Sequence, residues 1–204
     1  QFTWKRLHMT RILVSGVSGP IGAALVPCLD ASGAGIARLM RADSAPSTAA
    51  ATETVRWDPA KPIAPEAVSG FDAVIHLAGE SIIGRWTAAK KAKIRDSRVV
   101  GTRHLAEALA QARNKPRVFI CSSAVGYYGD RGDEVLREES APGTDFLAEV
   151  CREWEAATQP AADASIRTVQ IRTGVVLSPR GGALAKMLTP FRMGLGGRVG
   201  SGRQ

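Results

Sequence analysis

Three evenly spaced glycines constrain this chain more than any other feature of its sequence. They stand at the first, fourth and seventh positions of Gly16-Val17-Ser18-Gly19-Pro20-Ile21-Gly22. An apolar run precedes them and a helical pattern follows, so they predict a tight turn whose backbone approaches a ligand without a Cβ in the way. Pro20 suits the first helical turn, because its missing N–H breaks no helix bond there.

Short apolar segments alternate with helical patterns along the rest of the chain. This alternation predicts one α/β domain whose parallel sheet is built with right-handed crossovers. The predicted strands are 11–15, 36–40, 54–57, 73–77, 118–121 and 168–177, and the predicted helices are 21–29, 87–112 and 145–162. We expect a loop from 41 to 52, and we find no internal repeat or linker.

The glycine turn leads into a helix, whose first N–H groups and positive dipole favour phosphate. The turn therefore predicts a site for the diphosphate of a nicotinamide dinucleotide. Arg41 ends the second predicted strand, about twenty residues after the glycines, where NAD-specific proteins place an acid for the ribose hydroxyls. An arginine there favours the 2′-phosphate of NADP. Asp43 keeps NAD open, and an ordinary surface arginine is the alternative.

The net charge of +8 raises nucleic acid, a membrane and a small anion as partners. Lysines and arginines are scattered, and aromatic residues do not interleave with them, so we expect no nucleic-acid binding. No apolar run approaches the roughly 18 to 20 residues of a membrane span. A small-molecule substrate is the expected partner, and homo-oligomer formation stays open.

The three cysteines are odd in number and lack Cys-x-x-Cys spacing, which indicates neither a disulfide framework nor a metal site. A reduced, cytoplasmic setting is the simplest interpretation. Cys121 and Cys151 are expected to pack as small apolar groups. The chain begins with Gln1 and ends on a glycine-rich stretch, so we expect both termini to be cut.

Several further motifs extend the pattern that begins with the glycine turn. The set consists of Ser15 to Gly22, Asp72 to Gly79, Glu80, Arg85 to Thr87, Ser97 to Thr102, Ser122 to Gly129, Arg172 to Leu177 and the glycine-rich tail. Together these motifs resemble the extended short-chain dehydrogenases. Within that superfamily the chain is similar to the atypical "epimerase family" subgroup of NADP-dependent oxidoreductases, which has human and bacterial members. The resemblance runs from about residue 10 to the end.

The resemblance implies a Rossmann-type doubly wound parallel sheet with flanking helices. It implies an NAD(P)-binding domain over 10–180, with 181–204 as the start of an incomplete substrate-binding region. Most of a C-terminal substrate lobe would then be missing. Residues 1–9 resemble a junction to an upstream domain, which is a weaker match.

The resemblance also implies which residues contact the cofactor. His76 is either a core histidine or a direct contact, whereas Glu80 and Arg85 are either cofactor contacts or solvated loop charges. Arg172 has an internal salt bridge as its alternative. The expected cofactor-binding residues are Gly16, Ser18, Gly19, Pro20, Ile21, Gly22, Arg41, Leu77, Ala78, Gly79, Glu80, Arg85, Ser122 and Arg172.

The expected catalytic site departs from the larger superfamily. Ordinary members carry Tyr-x-x-x-Lys on the helix after the fifth strand, and the lysine lowers the tyrosine pKa for proton exchange. Phe146 and Val150 stand at that spacing here. Arg98 replaces the asparagine that is usual on the preceding helix. We therefore assign proton transfer to Ser123 with Tyr127 or Tyr128, for which packing or turn capping is the alternative.

The predicted function is an oxidoreductase or epimerase that uses NADP on a small carbonyl or alcohol, with nucleotide-sugar-like substrates among the candidates. A non-catalytic NADP-binding redox sensor or assembly partner is the alternative, because the tyrosine and lysine are missing. We interpret Trp57-Asp58-Pro59 as structural, with a place in the lining of the adenine pocket, which the resemblance implies, as the alternative. We interpret the segment from Lys90 to Lys93 as a solvated helix face, with substrate contacts as the alternative.

Overall fold

A single parallel sheet organises the chain in the computed structural model, which describes residues 10–44, 53–179, 181–198 and 202. Its six strands lie in the order β3-β2-β1-β4-β5-β6, and every neighbouring pair is parallel. The doubly wound α/β fold is thus confirmed. The strands are β1 Arg11–Ser15, β2 Gly35–Arg41, β3 Glu53–Trp57, β4 Ala73–His76, β5 Val118–Ala124 and β6 Arg167–Thr173. The predicted junction 1–9, most of the 41–52 loop and most of the final tail lie outside the described residues.

Within the described residues, four α-helices and two short 3-10 turns lie between these strands, and a fifth helix follows β6. The helices are α1 Pro20–Ala31, α2 Ala88–Gln111, α3 Phe146–Ala156, α4 Gln159–Asp163 and α5 Gly182–Arg192; the 3-10 turns are Pro65–Val68 and Val125–Tyr128. The chain leaves β1 toward β2 on one side and returns to β4 on the other. In open α/β sheets a crevice forms where the strand order reverses, at the carboxyl ends of the strands.

Two predicted elements differ from the structure, and one helix of the structure was not predicted. The helix predicted over 145–162 is divided after Ala156, because a proline at position 160 clashes with the carbonyl four residues earlier and has no N–H to donate. The strand predicted to reach Leu177 ends at Thr173, opposite Ala124, the last residue of its partner β5. The helix α5 was not predicted.

Helices cover both faces of the sheet. Ile12, Val14 and Ile75 form one apolar cluster, against which side chains of α1 pack. Leu13 points to the other face, because successive strand residues alternate, and it joins a larger cluster that includes Leu109 on α2. The core therefore fixes the positions of β1 and β4, whose ends form the crevice. None of the helices within the described ranges is long and apolar enough to span a bilayer.

Candidate active site

The glycine turn between β1 and α1 is closely packed against the end of β4. Gly16 has φ +70°, and a Cβ there would lie 2.6 Å from the carbonyl carbon of Leu77. A Cβ on Gly22 would overlap the carbonyl oxygen of Gly16. Gly19 precedes α1 and provides no side-chain cap, so the first helical amides face outward without an internal side-chain acceptor. The turn thus has the form that a bound phosphate requires.

Ser15 and His76 join the ends of β1 and β4 beneath this turn. The Ser15 hydroxyl accepts hydrogen bonds from the amides of Leu77 and Ala78 at 3.1 and 3.3 Å. Its own proton is therefore directed to Nδ1 of His76, 2.7 Å away, which leaves the ring proton on Nε2. His76 is fully buried, and burial lowers its pKa to about 4. Of its two predicted roles, the structure supports the core histidine.

A cavity of about 310 Å³, the turn cavity, opens directly over the glycine turn. It lies at the carboxyl ends of β1, β2 and β4, where the sheet topology predicts a ligand. The turn cavity brings together many of the residues that the sequence assigned to a cofactor. These are Gly16, Ser18, Gly19, Arg41, Leu77, Ala78, Gly79 and Glu80.

A second cavity of about 630 Å³, the rim cavity, lies beside the first, beyond the ends of β2 and β3. The two share part of their lining, so they lie side by side in one groove. The shared residues are Arg41, Trp57, Pro59, Glu80 and Ser97. An extended molecule could therefore lie across both cavities with one end at the glycine turn.

Charged side chains of both signs line the rim cavity. Glu80 accepts a hydrogen bond of 2.7 Å from Lys90, and this bond is the main cause of its lowered pKa. Arg41 lies 3.5 Å from Asp43, and both side chains are largely exposed. A loose surface pair of this kind contributes little to stability, so the Arg41 guanidinium can exchange its partner for a ligand.

Polar side chains at the ends of β5 and β6 bind one another in what we call the strand-end network: Ser123, Tyr127, Tyr128, Glu155 and Arg172. Ser123 donates to Glu155 Oε1 at 2.6 Å. Arg172 donates to the two carboxylate oxygens of Glu155 at 2.8 and 2.9 Å. It also donates to the Tyr128 hydroxyl at 2.9 Å, and its guanidinium lies 3.5 Å from the centre of the Tyr127 ring. Arg172 therefore forms the internal salt bridge that was its predicted alternative.

The remaining predicted site residues lie apart from the two cavities. Arg85 is in the exposed loop before α2 and lines neither cavity, whereas Ser122 is buried in β5. Pro20 and Ile21 form the first turn of α1. Arg98 donates from Nη1 to the carbonyl oxygens of Glu80 and Ile94 at 3.0 and 3.1 Å, and so ties α2 to the loop after β4.

The helix α3 carries no proton-transfer group at the superfamily spacing. Phe146 packs edge-to-face against Trp86, and Val150 is buried. Cys151 is also buried, as is Cys121, so the prediction that both pack as small apolar groups is confirmed. Burial raises the pKa of Cys121 to about 12 and also raises that of Cys151, which keeps both thiols protonated.

Some lining residues were assigned mainly to other roles by sequence reasoning. Trp57, Asp58 and Pro59, interpreted as structural with the adenine pocket as the alternative, line the rim cavity, as does Lys93, interpreted as part of a solvated face. Trp57 ends β3, so the rule that ligands bind at the carboxyl ends of strands could have identified this segment. No pattern in the sequence marked Lys93, because its position depends on where α2 crosses the end of the sheet.

Comparison with known proteins agrees with this geometry. The sequence profile of the NAD dependent epimerase/dehydratase family matches residues 12–195. The chain is 43% identical over 195 residues to epimerase family protein Mb2239 of Mycobacterium bovis. This alignment covers 95% of the chain and 62% of the relative, so the chain spans about three fifths of that protein's length.

Two crystal structures share the fold. One is human epimerase family protein SDR39U1 (isoform2) with NADPH, with a TM-score of 0.82 and 34% identity over 96% of this chain and 64% of that one. The other is the nucleoside-diphosphate sugar epimerase from Corynebacterium glutamicum, with a TM-score of 0.79 and 42% identity over 95% of this chain and 39% of that one. The predicted resemblance is confirmed, and this chain belongs to the NAD dependent epimerase/dehydratase family.

Proposed function

We propose that this chain binds NADP(H) along the groove formed by the turn and rim cavities. The observation that carries the proposal is that the two cavities adjoin, with an open helix N-terminus at one end and Arg41 shared between them. The human relative was crystallised with NADPH. The residues present fit NADP(H). A Cβ at Gly16 or Gly22 would collide with neighbouring backbone, so glycine at both positions allows the tight turn that a diphosphate requires.

Each part of the groove suits a different part of the dinucleotide. The backbone amides of the turn and the dipole of α1 would hold the diphosphate. Arg41 would pair with the 2′-phosphate, for which a guanidinium offers bidentate hydrogen bonds. Trp57 and Pro59 provide an apolar wall of the rim cavity, which suits the adenosine end. When bound, the nicotinamide supplies hydride exchange with a carbon of the substrate.

We further propose that the full-length protein is an oxidoreductase or epimerase acting on a small carbonyl or alcohol, with nucleotide-sugar-like substrates among the candidates. The strand-end network favours Tyr127 as the proton-transfer group. Ser123 already directs its proton to Glu155, and Tyr128 is buried with its oxygen bound by Arg172. The Tyr127 hydroxyl, by contrast, has no hydrogen bond to any residue that the structure describes.

A second candidate function is a non-catalytic NADP-binding protein that senses redox state or assembles with a partner. The internal pairing of Ser123, Glu155 and Arg172 favours it, because side chains that satisfy one another contribute no free donor to a substrate. Both candidates require the same cofactor site. They differ in whether hydride leaves the bound cofactor.

Two measurements on the full-length protein test these proposals in order. A titration of NADPH followed by nicotinamide fluorescence should show saturable binding; no saturation at millimolar NADPH would refute the cofactor proposal. NADPH oxidation is then followed over a panel of aldehydes, ketones and keto-sugars. Turnover supports the enzyme, and saturable binding with no turnover over the whole panel supports the sensor.

A further inference from the structure

Two positively charged side chains line the rim cavity, and they come from different elements. Arg41 lies at the end of β2, and Lys93 lies on α2. Lys93, Ser97 and Val100 are spaced four and three residues apart, so they occupy one face of the helix, and that face lines the cavity. Lys93 is thus directed toward the cavity by the geometry of α2.

Lys93 differs from the other cations around the cavity in having no carboxylate of its own. Lys90 is 2.7 Å from Glu80, and Lys61 is 3.6 Å from Asp58. Arg95 binds Glu153 on α3 at 2.6 Å. Lys93 has no ion pair within 4 Å among residues 10–44, 53–179 and 181–198. Its charge is therefore available to an anion that enters the cavity.

The charges of Lys93 and Arg41 act on the same place. Both lower the pKa of Glu80, whose carboxylate lines both cavities. Glu80 does not oppose an incoming anion with a full charge, because Lys90 already neutralises it. Asp43, Asp58 and Asp96 also line the cavity, and each lies within 4 Å of a cation. A dianion placed here would meet two cations, and of the three aspartates only Asp43, the partner of Arg41, would lose its cation.

We propose that Lys93 is a second ligand of the 2′-phosphate of NADP, acting from α2 together with Arg41 from β2, and that it contributes to selection of NADP over NAD. This inference rests on the proposed cofactor function. A 2′-phosphate carries close to two negative charges at neutral pH, more than one guanidinium neutralises. An ammonium is a compact point charge that binds phosphate without demanding bidentate geometry.

The test uses two small probes that differ only in the 2′-phosphate: 2′,5′-ADP and 5′-AMP. Binding of each is measured by calorimetry at low salt to the parent chain, to Lys93→Ala and to Lys93→Arg. Lys115→Ala is the matched control, since it removes the same charge from an exposed residue before β5, at the opposite edge of the sheet. Thermal melting of each variant checks that it is folded.

We expect Lys93→Ala to weaken 2′,5′-ADP binding about tenfold. Binding of 5′-AMP should stay unchanged, and both Lys93→Arg and Lys115→Ala should retain binding close to the parent's. Equal affinity of Lys93→Ala and the parent for 2′,5′-ADP would overturn the inference, as would an equal loss for both probes. If the parent binds neither 2′,5′-ADP nor NADPH, the proposed function itself fails. If the parent binds NADPH and Lys93→Ala binds 2′,5′-ADP as tightly as the parent does, only the role of Lys93 is refuted.

Discussion

At the ends of β1, β2 and β4 the chain leaves backbone amides uncapped and two adjoining cavities open, whereas at the ends of β5 and β6 its polar side chains bind one another. The first region includes the glycine turn, Arg41 and Lys93, none of which is tightly paired within the chain. The second region contains a bidentate arginine–carboxylate pair with a serine and a tyrosine attached. Both regions lie on the same edge of one sheet.

The difference separates two tasks. Groups whose hydrogen bonds are incomplete inside the chain are available for a ligand, and the open region should therefore control cofactor affinity. Groups that satisfy one another mainly stabilise the fold, and the strand-end network should therefore control the free energy of unfolding. Substitutions in the two regions should affect different measurements, which makes the comparison testable.

The largest effect is expected from Gly22→Ala in the open region. The new Cβ would overlap the carbonyl oxygen of Gly16, and neither backbone can move without opening the turn. We expect a loss of about 3 kcal/mol in the free energy of unfolding and of about a hundredfold in NADPH affinity. Denaturant unfolding and fluorescence titration measure the two.

Gly174→Ala is the control for this substitution. A Cβ at Gly174 meets nothing within 4 Å, and its backbone does not need a positive φ. Its stability and its NADPH affinity should match those of the parent. If Gly22→Ala binds NADPH as tightly as Gly174→Ala, close packing of the turn is not what shapes the cofactor site.

Stability should depend on pH through His76. The pKa of its imidazole is 6.5 in the unfolded chain and about 4 in the fold. Between pH 4 and pH 6.5 the ring is therefore protonated in the unfolded chain and neutral in the folded one. The contribution of His76 is therefore complete above pH 6.5 and is lost as the pH falls toward 4, by about 3 kcal/mol. Denaturant unfolding from pH 7 to pH 4 should show this loss.

The matched variant is His76→Asn, which cannot titrate. Its absolute stability will be lower, because the replaced ring is fully buried. The informative quantity is the slope of stability against pH, which should be shallower than in the parent between pH 6.5 and pH 4. Parallel slopes would show that His76 does not carry the pH dependence.

Substitutions in the strand-end network should lower the free energy of unfolding and leave cofactor affinity unchanged. Glu155→Ala leaves the largely buried Arg172 without its carboxylate and should cost about 2 kcal/mol. Glu134→Ala removes the partner of Arg131 in an exposed pair and should cost at most about 0.5 kcal/mol. NADPH affinity should be unchanged in both variants. A large loss of NADPH affinity in Glu155→Ala would contradict this separation and show that the two regions form one site.

The two tyrosines of the strand-end network are expected to contribute less to stability than Glu155. Tyr128→Phe removes an acceptor from Arg172 and should cost about 1 kcal/mol. Tyr127→Phe should leave stability unchanged and, if Tyr127 transfers the proton, should reduce NADPH turnover by about a hundredfold. Full turnover in both variants would remove both hydroxyls from the mechanism.

The sequence was sufficient for the sheet and the glycine turn, because both depend on local patterns. Apolar runs that end at glycine or at a charged residue located β1, β2 and β4 to within one residue. The pairing of Arg172 with Glu155 could not be predicted from such local patterns. Its partner Glu155 lies 17 residues away on α3, and only the packing of that helix against β5 brings the two together.

The lining of the rim cavity shows the same limit of prediction from local sequence. Trp57 ends a strand that was predicted correctly and Asp58 follows it, yet their place in the cavity depends on α2 passing over them. Lys93 was assigned to solvent because its neighbours in sequence are charged. Local sequence therefore predicted the elements, and the positions of the elements relative to one another decided which of their side chains share a cavity.

A crystal structure of the full-length protein soaked with NADPH tests the central claim most directly. We expect density for the diphosphate against the turn from Gly16 to Gly22 and density for the phosphorylated adenosine in the rim cavity beside Arg41. Density for NADPH at any other place, or an empty groove at millimolar NADPH, would contradict the account.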